Sequence, residues 1–341
     1  MAEKIFVAMS GGIDSSVAAA ILKENGYDVN GITMCFLASQ ADMVHRAAQI
    51  AELLGVKHHV LDLTQQFEEK IIEPFCDEYA SGRTPNPCVH CNYLIKFGAL
   101  LDKISELGGK KLATGHYARL EQQHDLYHLY QGVDQKKDQS YFLYRLIQPQ
   151  LSRIIFPLGE WMKNQTREYF KKLSISAVPA ESQDICFIPE GNYRDFIKKR
   201  LGTLPGNIVN RQGDVLGQHL GLAFYTIGQR HGLGLSFRES VYVVGMNPYK
   251  DELIVGDSIE QSSHFTLGDL SWIIPEPPID SGRLEVKLRY QTAKTPVKRL
   301  TTRQEYAEFE LEKPVPSVAP GQSAVFYLDN EVIGGGIIEP S

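Results

Sequence analysis

No apolar run in the sequence comes near the roughly 18 residues that a membrane-spanning helix requires, so no such span is expected. The opening residues, MAEKIFVAMSGG, hold too short an apolar stretch for a secretory signal. They also carry an acid, Glu3, that a transit peptide would avoid, and the protein is therefore read as cytosolic. Cysteine is scarce: five residues (Cys35, Cys76, Cys88, Cys91, Cys186) in a chain of 341. In a reducing compartment they are expected to be metal-binding, catalytic or buried rather than a disulfide framework. Internal repeats and low-complexity tracts are missing too. An apolar content of 43% and a charged content of 22% exclude disorder and collagen-like structure. Basic residues are in deficit, and the net charge of −6, taken as an average, argues against nucleic acid as a partner. The length allows two or three domains.

What is present begins with short apolar segments alternating with helical patterns. KIFVAMS reads as a buried strand, 15–25 as a helix stopped by Gly26, and VNGITMCF as the next strand. A helix over 44–54, the strand HHVLDL, helices over 67–79 and 93–107 and the strand KLATGHY follow. This alternation predicts an α/β fold with a parallel sheet, whose ligands belong at the C-terminal strand ends. A hairpin is expected within LYHLYQGVDQKKDQSYFLY, then helices over 164–173 and 193–200. Near Gly202 the chain becomes rich in glycine and turn residues, as in a small β module, and from about Ser262 alternating segments predict a β-barrel. The expected domains are 1–201, 202–262 and 263–341.

Ser10-Gly11-Gly12-Ile13-Asp14-Ser15 lies between the first strand and the first helix. Glycines allow a tight turn, while Ser10, Ser15, backbone N–H groups and the helix N-terminus offer hydrogen bonds to an anion, phosphate above all. It is neither a Walker loop, lacking Gly-Lys-Ser/Thr, nor a dinucleotide fingerprint, lacking the third glycine. An ordinary capped strand-to-helix turn is the plain alternative. The hexapeptide resembles the signature of the N-type ATP pyrophosphatases (the PP-loop superfamily), which implies a HUP-like adenine-nucleotide-binding domain. It also implies that Ser10, Gly11, Gly12, Asp14 and Ser15 hold the pyrophosphate end of ATP, with Asp14 near Mg²⁺. Flanking Ala8, Met9 and Ile13, and Met34 on the second strand, complete the expected nucleotide contacts.

Cys88 and Cys91 follow the rigid loop GRTPNP and precede a helix, whose dipole favours a thiolate. Cys186 lies in a second loop, AESQDICFIP, while Cys35 and Cys76 read as buried residues without chemistry. Cys88, Cys91 and Cys186 admit three readings: a structural zinc site lacking its fourth ligand, a redox or sulfur-relay pair of Cys91 with Cys186, or three ligands of a [4Fe-4S] cluster with one open iron.

VAMSGGIDSSVAA, GRTPNPCVHCNYLIKFGALL, ATGHYARL, KKDQSYFLYRL, ESQDICFIP, GLAFYTIGQRHGLG and a terminal GGGII occur in that order across nearly the whole chain. On these segments it resembles the tRNA-specific 2-thiouridylases, the MnmA/TrmU family. The resemblance implies an enzyme, a tRNA-uridine 2-sulfurtransferase, that uses ATP to thiolate C2 of the wobble uridine of tRNA. It makes Cys91 the nucleophile and Cys186 the persulfide carrier. It assigns Gly115 to ATP, and Asn86, Pro87, Cys88, His116, Lys137, Asp138, Gln139, Arg289, Tyr290 and Gln322 to tRNA. Cys88 departs from the family, which often has Asp there; a thiol replaces a carboxylate, and this favours the cluster reading. The segment after Phe36 is also shorter than usual.

The implied partners are tRNA and a sulfur donor, whether a cysteine desulfurase, a relay protein or sulfide, acting on a monomer. Other ATP pyrophosphatases use nitrogen nucleophiles and give the thiol loops no task, and a non-catalytic RNA-binding iron–sulfur scaffold has no use for an ATP loop. The stretch 283–303 holds seven basic residues and one acid, which leaves −12 for the rest of the chain. In RLEVKLRY the basic side chains alternate with apolar ones and are expected to share one exposed face for a phosphate backbone.

Overall fold

Strands with apolar cores and helices with one apolar face assemble as their periodicities require. In the computed structural model, which describes residues 2–173, 175, 185–188, 193–235, 240–275 and 282–340, the first four strands are β1 (Lys4–Ala8), β2 (Asp28–Cys35), β3 (Lys57–Asp62) and β4 (Lys111–Ala113). A hairpin of β5 (Ala118–Gln123) and β6 (Leu126–Gln131) precedes the short β7 (Ile154–Ile155). The order β3-β2-β1-β4-β7 is parallel throughout. Chain direction across the sheet reverses between β1 and β4, and the loops following these two strands therefore flank a crevice at the sheet's C-terminal edge. Helices α1 (Ile13–Glu24) and α2 (Ala41–Leu53) bury Val17, Ala18, Leu22, Ala47 and Ile50 against one face.

The hairpin differs from expectation. Leu126–Gln131 pairs with the preceding Ala118–Gln123, and Ser140–Leu143 forms a 3₁₀ turn. The cause is the Asp138 carboxylate, 2% exposed, which accepts bonds from Gln131 Nε2, Gly132 N, Ser140 N and Ser140 Oγ at 2.9–3.1 Å and folds the segment back on itself.

The central module joins β8 (Gly206–Val209), β9 (Val215–His219), β10 (Tyr242–Asn247) and β11 (Glu252–Gly256) in the order β10-β11-β8-β9. Six further strands follow: β12 (Gln261–Trp272), β13 (Leu284–Lys287), β14 (Thr295–Thr302), β15 (Ala307–Pro316), β16 (Ser323–Leu328) and β17 (Glu331–Ile338). Pairing of β12 with both β15 and β17 closes them into a barrel. The fold class expected from the sequence is thus present in all three parts. Strand β17 also pairs with β6, and one apolar cluster holds Phe97, Leu112, Tyr141 and Tyr144 together with Val325, Tyr327 and Val332. The barrel therefore shares a core with the parallel-sheet domain.

Leu284, Val286 and Leu288 are buried, as alternation predicts; of their basic neighbours Arg283 is exposed, whereas Lys287 and Arg289 are half-buried, Lys287 over the Tyr327 ring. The cationic strip is nevertheless partly matched by acids: Arg283 pairs with Asp329, Lys294 with Glu285 and Lys298 with Glu310, at 2.6–3.1 Å. A charge count along one stretch omits Asp329, in the turn between β16 and β17, and Glu310, on β15. Among the described residues no helix is long and apolar enough to cross a membrane.

Candidate active site

The loop after β1 turns at Gly11 (φ +68), where a Cβ would stand 3.1–3.2 Å from Arg46 and the α2 backbone. Gly12 caps α1, and its carbonyl accepts from Ser15 Oγ at 3.1 Å and Ser16 Oγ at 2.7 Å. The Ser15 hydroxyl also takes the Ser10 N–H at 3.2 Å, which draws the loop into a cradle. From the β4 side, Gly115 approaches so closely that a Cβ would lie 2.9 Å from Asp14 and from Ser15 N. The two loops flanking the crevice thus meet where an anion would sit. Of the other expected nucleotide contacts, Met9 is 2% exposed, with its N–H donated to Ile32 O and its carbonyl accepting from Thr33 Oγ1, whereas Ala8, Ile13 and Met34 are half-buried.

Asp14 has partners the sequence did not point to. Lys163 Nζ lies 2.7 and 2.8 Å from its two oxygens, and the Tyr117 hydroxyl donates to it from 2.9 Å. Lys163 opens the helix Lys163–Lys172, where a cation opposes the helix dipole. Asp14 is therefore ion-paired with Lys163 in this arrangement.

The thiols occupy a second, adjoining region. Pro87 begins the helix Pro87–His90, which continues through a π-helical segment, Cys91–Ala99. Carbonyl oxygens of Tyr93 and Phe97 in the widened turns accept from Gln150 Nε2 at 3.0 and 2.8 Å. In an α-helix a residue five positions on points about 140° away. At about 80° per residue the π register brings Lys96 back toward the face of Cys91. Cys91 is buried beside Phe67, Phe75 and Phe187, whereas Cys88 and Cys186 reach the surface. Burial pushes the Cys91 thiol up to about 12, while the nearby Lys96 ammonium pulls it, Cys88 and Cys186 the other way. Of the segment 181–189, residues 185–188 are described; there Phe187 packs edge-on against Phe67 and Phe75, 5.6 and 5.2 Å between centroids, which anchors Cys186 beside Cys91. Cys76 is buried, as expected, whereas Cys35 is only half-buried.

His116 connects the two regions. It follows Gly115, bonds Thr114 Oγ1 through Nδ1 at 2.7 Å and lies between the Phe97 and Phe156 rings. Enclosure, aided by Lys96, holds its imidazole well below the ordinary value, so the ring is neutral. Lys96 was missed because a lone lysine on a helix carries no signal until the π register is known.

Several residues expected to touch RNA converge at the seam between sheet domain and barrel. Tyr290 packs tilted against Phe142, 4.4 Å between centroids, the Tyr141 hydroxyl donates to Ser323 O at 2.9 Å, and Gln322 Nε2 donates to Thr84 O at 2.8 Å, two residues before Asn86. Gln139 braces Tyr117 through its own N–H and Oε1, at 2.9 and 3.2 Å. Lys137 and Arg289 are half-buried at the surface. The Asp138 carboxylate, by contrast, is buried and accepts four hydrogen bonds within the fold.

Among the described residues no three His, Cys, Asp or Glu side chains gather closely enough in this arrangement to hold a metal ion.

Comparison with known proteins agrees with this architecture. Residues 3–190 match the family model described as a tRNA methyl transferase HUP domain, 194–257 its PRC-barrel domain, and 262–338 an aminomethyltransferase beta-barrel domain. A tRNA-specific 2-thiouridylase MnmA of Dehalococcoides mccartyi is 44% identical over 346 residues, covering 99% of this chain and 97% of the relative. Those of Carboxydothermus hydrogenoformans and Trichlorobacter lovleyi are 41% and 43% identical, covering 99% and 98% of this chain and 98% and 97% of the relatives. A phosphate cradle beside paired thiols, on a chain aligned end to end with these relatives, places it in the tRNA-specific 2-thiouridylase family.

Proposed function

We propose that this chain is a tRNA-uridine 2-sulfurtransferase that converts the wobble uridine, position 34, to 2-thiouridine at the expense of ATP. One observation carries the reading: the turn 114–116 touches the phosphate loop through Gly115 and faces Lys96, beside the thiols, through His116. An activating site and a sulfur site thereby share a wall. Domain 1–201 carries the chemistry, 202–262 supports it, and the barrel, 263–341, takes the tRNA.

Chemistry at C2 requires the base to leave its stack. The uracil O2 attacks the α-phosphate of ATP, and pyrophosphate departs into the cradle of residues 10–15, where N–H groups and the α1 dipole receive its charge. Magnesium carried on the triphosphate would add charge neutralisation there. Cys186, exposed, accepts a sulfane sulfur from a donor such as a cysteine desulfurase, a relay protein or sulfide with an oxidant. Its terminal sulfur attacks C2, and AMP leaves with the former O2. Cys91 then attacks the Cys186 sulfur, the S–S bond to the transferred sulfur breaks, 2-thiouridine is released and a Cys91–Cys186 disulfide remains. A dithiol reductant supplies two electrons to restore both thiols. Lys96 stabilises each sulfur anion in turn, and the neutral His116 holds the base edge without adding a competing charge. The thiols suffice, and Cys88 stands where a carboxylate is also compatible with this route.

Incubation with tRNA, ATP and a persulfide source, followed by mass spectrometry of the nucleosides, tests the proposal. Formation of a 2-thiouridine derivative is expected; tRNA binding without sulfur gain would remove the enzyme reading. A Cys88→Asp variant is expected to stay active with no iron bound, and iron-dependent thiolation lost in that variant would replace the relay with a cluster.

A further inference from the structure

The mechanism leaves unused a set of contacts between the thiol loop and the barrel. Arg83, its side chain 18% exposed, donates from Nε to Glu78 at 2.7 Å and from Nη1 and Nη2 to the two oxygens of Glu339 at 2.7 and 3.3 Å. Thr84 donates its N–H to Pro320 O at 2.8 Å and accepts from Gln322 Nε2 at 2.8 Å. Between these two barrel residues, Gly321 has φ +91, and a Cβ there would stand 3.0–3.1 Å from the Thr84 backbone. The barrel turn therefore approaches the loop backbone to backbone. Two residues further, the Asn86 side chain lies against the Tyr141 hydroxyl that donates to Ser323 O.

These ties lie just ahead of the helix bearing Cys88 and Cys91. A cleft of about 350 Å³ runs along the seam, lined in part by Glu78, Arg83, Pro85, Pro87, His90 and Glu339, so the loop is held here by polar ties more than by packing. Pro85 and Pro87 have fixed φ and no N–H, which makes the connection from Thr84 to Cys88 stiff. A displacement at Thr84 is transmitted rather than absorbed.

We infer that the C-terminal barrel positions the nucleophile: Arg83 and Glu339 are positioning residues for sulfur transfer, so the barrel sets the rate of the reaction as well as RNA affinity. This rests on the reading of Cys91 as a reacting thiol. The Gln322 amide, expected to meet RNA, also ties down the loop, and RNA docking at the barrel therefore bears directly on the thiol helix.

Arg83→Met and the milder Glu339→Gln are expected to slow single-turnover thiolation at saturating tRNA and ATP by about 10- to 100-fold, the scale of a misplacement near 1 Å. Their tRNA affinity is expected to be unchanged, and Arg83→Lys to recover part of the rate. Because both act through one ion pair, the double variant should be no slower than Arg83→Met alone. Hydrogen exchange at the Thr84 amide, measured on the free protein, should accelerate in both single variants. Full rate at saturation with weakened tRNA binding, additive effects in the double variant, or unchanged Thr84 exchange in folded variants would overturn the inference. Should the wild-type protein form no 2-thiouridine, the functional reading fails by itself, and the exchange measurement still decides whether the barrel holds the loop.

Discussion

Lys163 Nζ bridges both carboxylate oxygens of Asp14, at 2.7 and 2.8 Å, from the first turn of a helix whose dipole disfavours a cation. The pair cancels the one negative charge in the phosphate loop and leaves the cradle free of repulsion toward an anion.

Replacing Lys163 with Met leaves the Asp14 charge uncompensated beside the phosphates. ATP affinity is expected to fall by about 10- to 100-fold, on the scale of one charge-assisted contact, and stability by about 1–3 kcal/mol. Tyr117→Phe, which removes one hydrogen bond to the same carboxylate, should be milder on both counts. Nucleotide titration and urea unfolding measure the two effects. ATP affinity equal to wild type in Lys163→Met would separate the pair from the nucleotide site.

Cys91→Ser and Cys186→Ser are each expected to abolish thiolation with ATP binding retained. The thiols also carry a pH signature. Alkylation follows the thiolate fraction, and burial holds Cys91 up to about 12, so its labelling in the free protein should be slow at neutral pH and climb through the alkaline range. Lys96 favours the thiolate; Lys96→Met therefore moves the labelling profile toward higher pH and slows labelling at a given pH by about three- to tenfold. Peptide mass spectrometry after timed iodoacetamide treatment reads each cysteine separately. A profile that does not move in Lys96→Met would remove that residue from the sulfur site.

His116 predicts the acid limb of stability. Its folded-state value lies well below 6.5, so as pH falls below 6.5 the unfolded chain takes up a proton that the folded chain resists. The stability contributed by the neutral ring is complete above that value and lost as pH falls. His58 and His90, both lowered by burial, act in the same direction. In His116→Asn the decline of the urea midpoint between about pH 7 and pH 5 should be shallower than in wild type. An unchanged slope would show that other groups set the acid limb.

The parallel sheet, the phosphate loop and the order of the three parts were legible because they rest on local signals: apolar runs, glycine spacing and alternation. Cys91 and Cys186 were legible as residues, but their unequal exposure depends on Phe187 docking between Phe67 and Phe75, which no spacing encodes. Lys96 and Lys163 were invisible for the same reason. One needs the π register of its helix, the other an acid 149 positions away. The basic strip looked more cationic than it is because Asp329, from the turn between β16 and β17, and Glu310, from β15, lie against it.

Asp138 separates fold from recognition. Its carboxylate, 2% exposed, accepts four hydrogen bonds that turn the chain from β6 into the Ser140–Leu143 segment, and this segment sets Tyr141 against the barrel. Removing the acceptor strands two N–H groups, an amide and a hydroxyl in a water-poor interior, so Asp138→Ala should cost about 2–4 kcal/mol. Asp138→Asn keeps the shape, replaces one acceptor oxygen by a donor and should cost less. If the residue instead served RNA through its own side chain, Asp138→Ala would leave the unfolding midpoint in place and change only tRNA affinity. Urea unfolding of the free protein, set beside tRNA binding by the two variants, distinguishes these outcomes. The buried network predicts that stability is lost first and that any loss of RNA affinity follows the loss of fold.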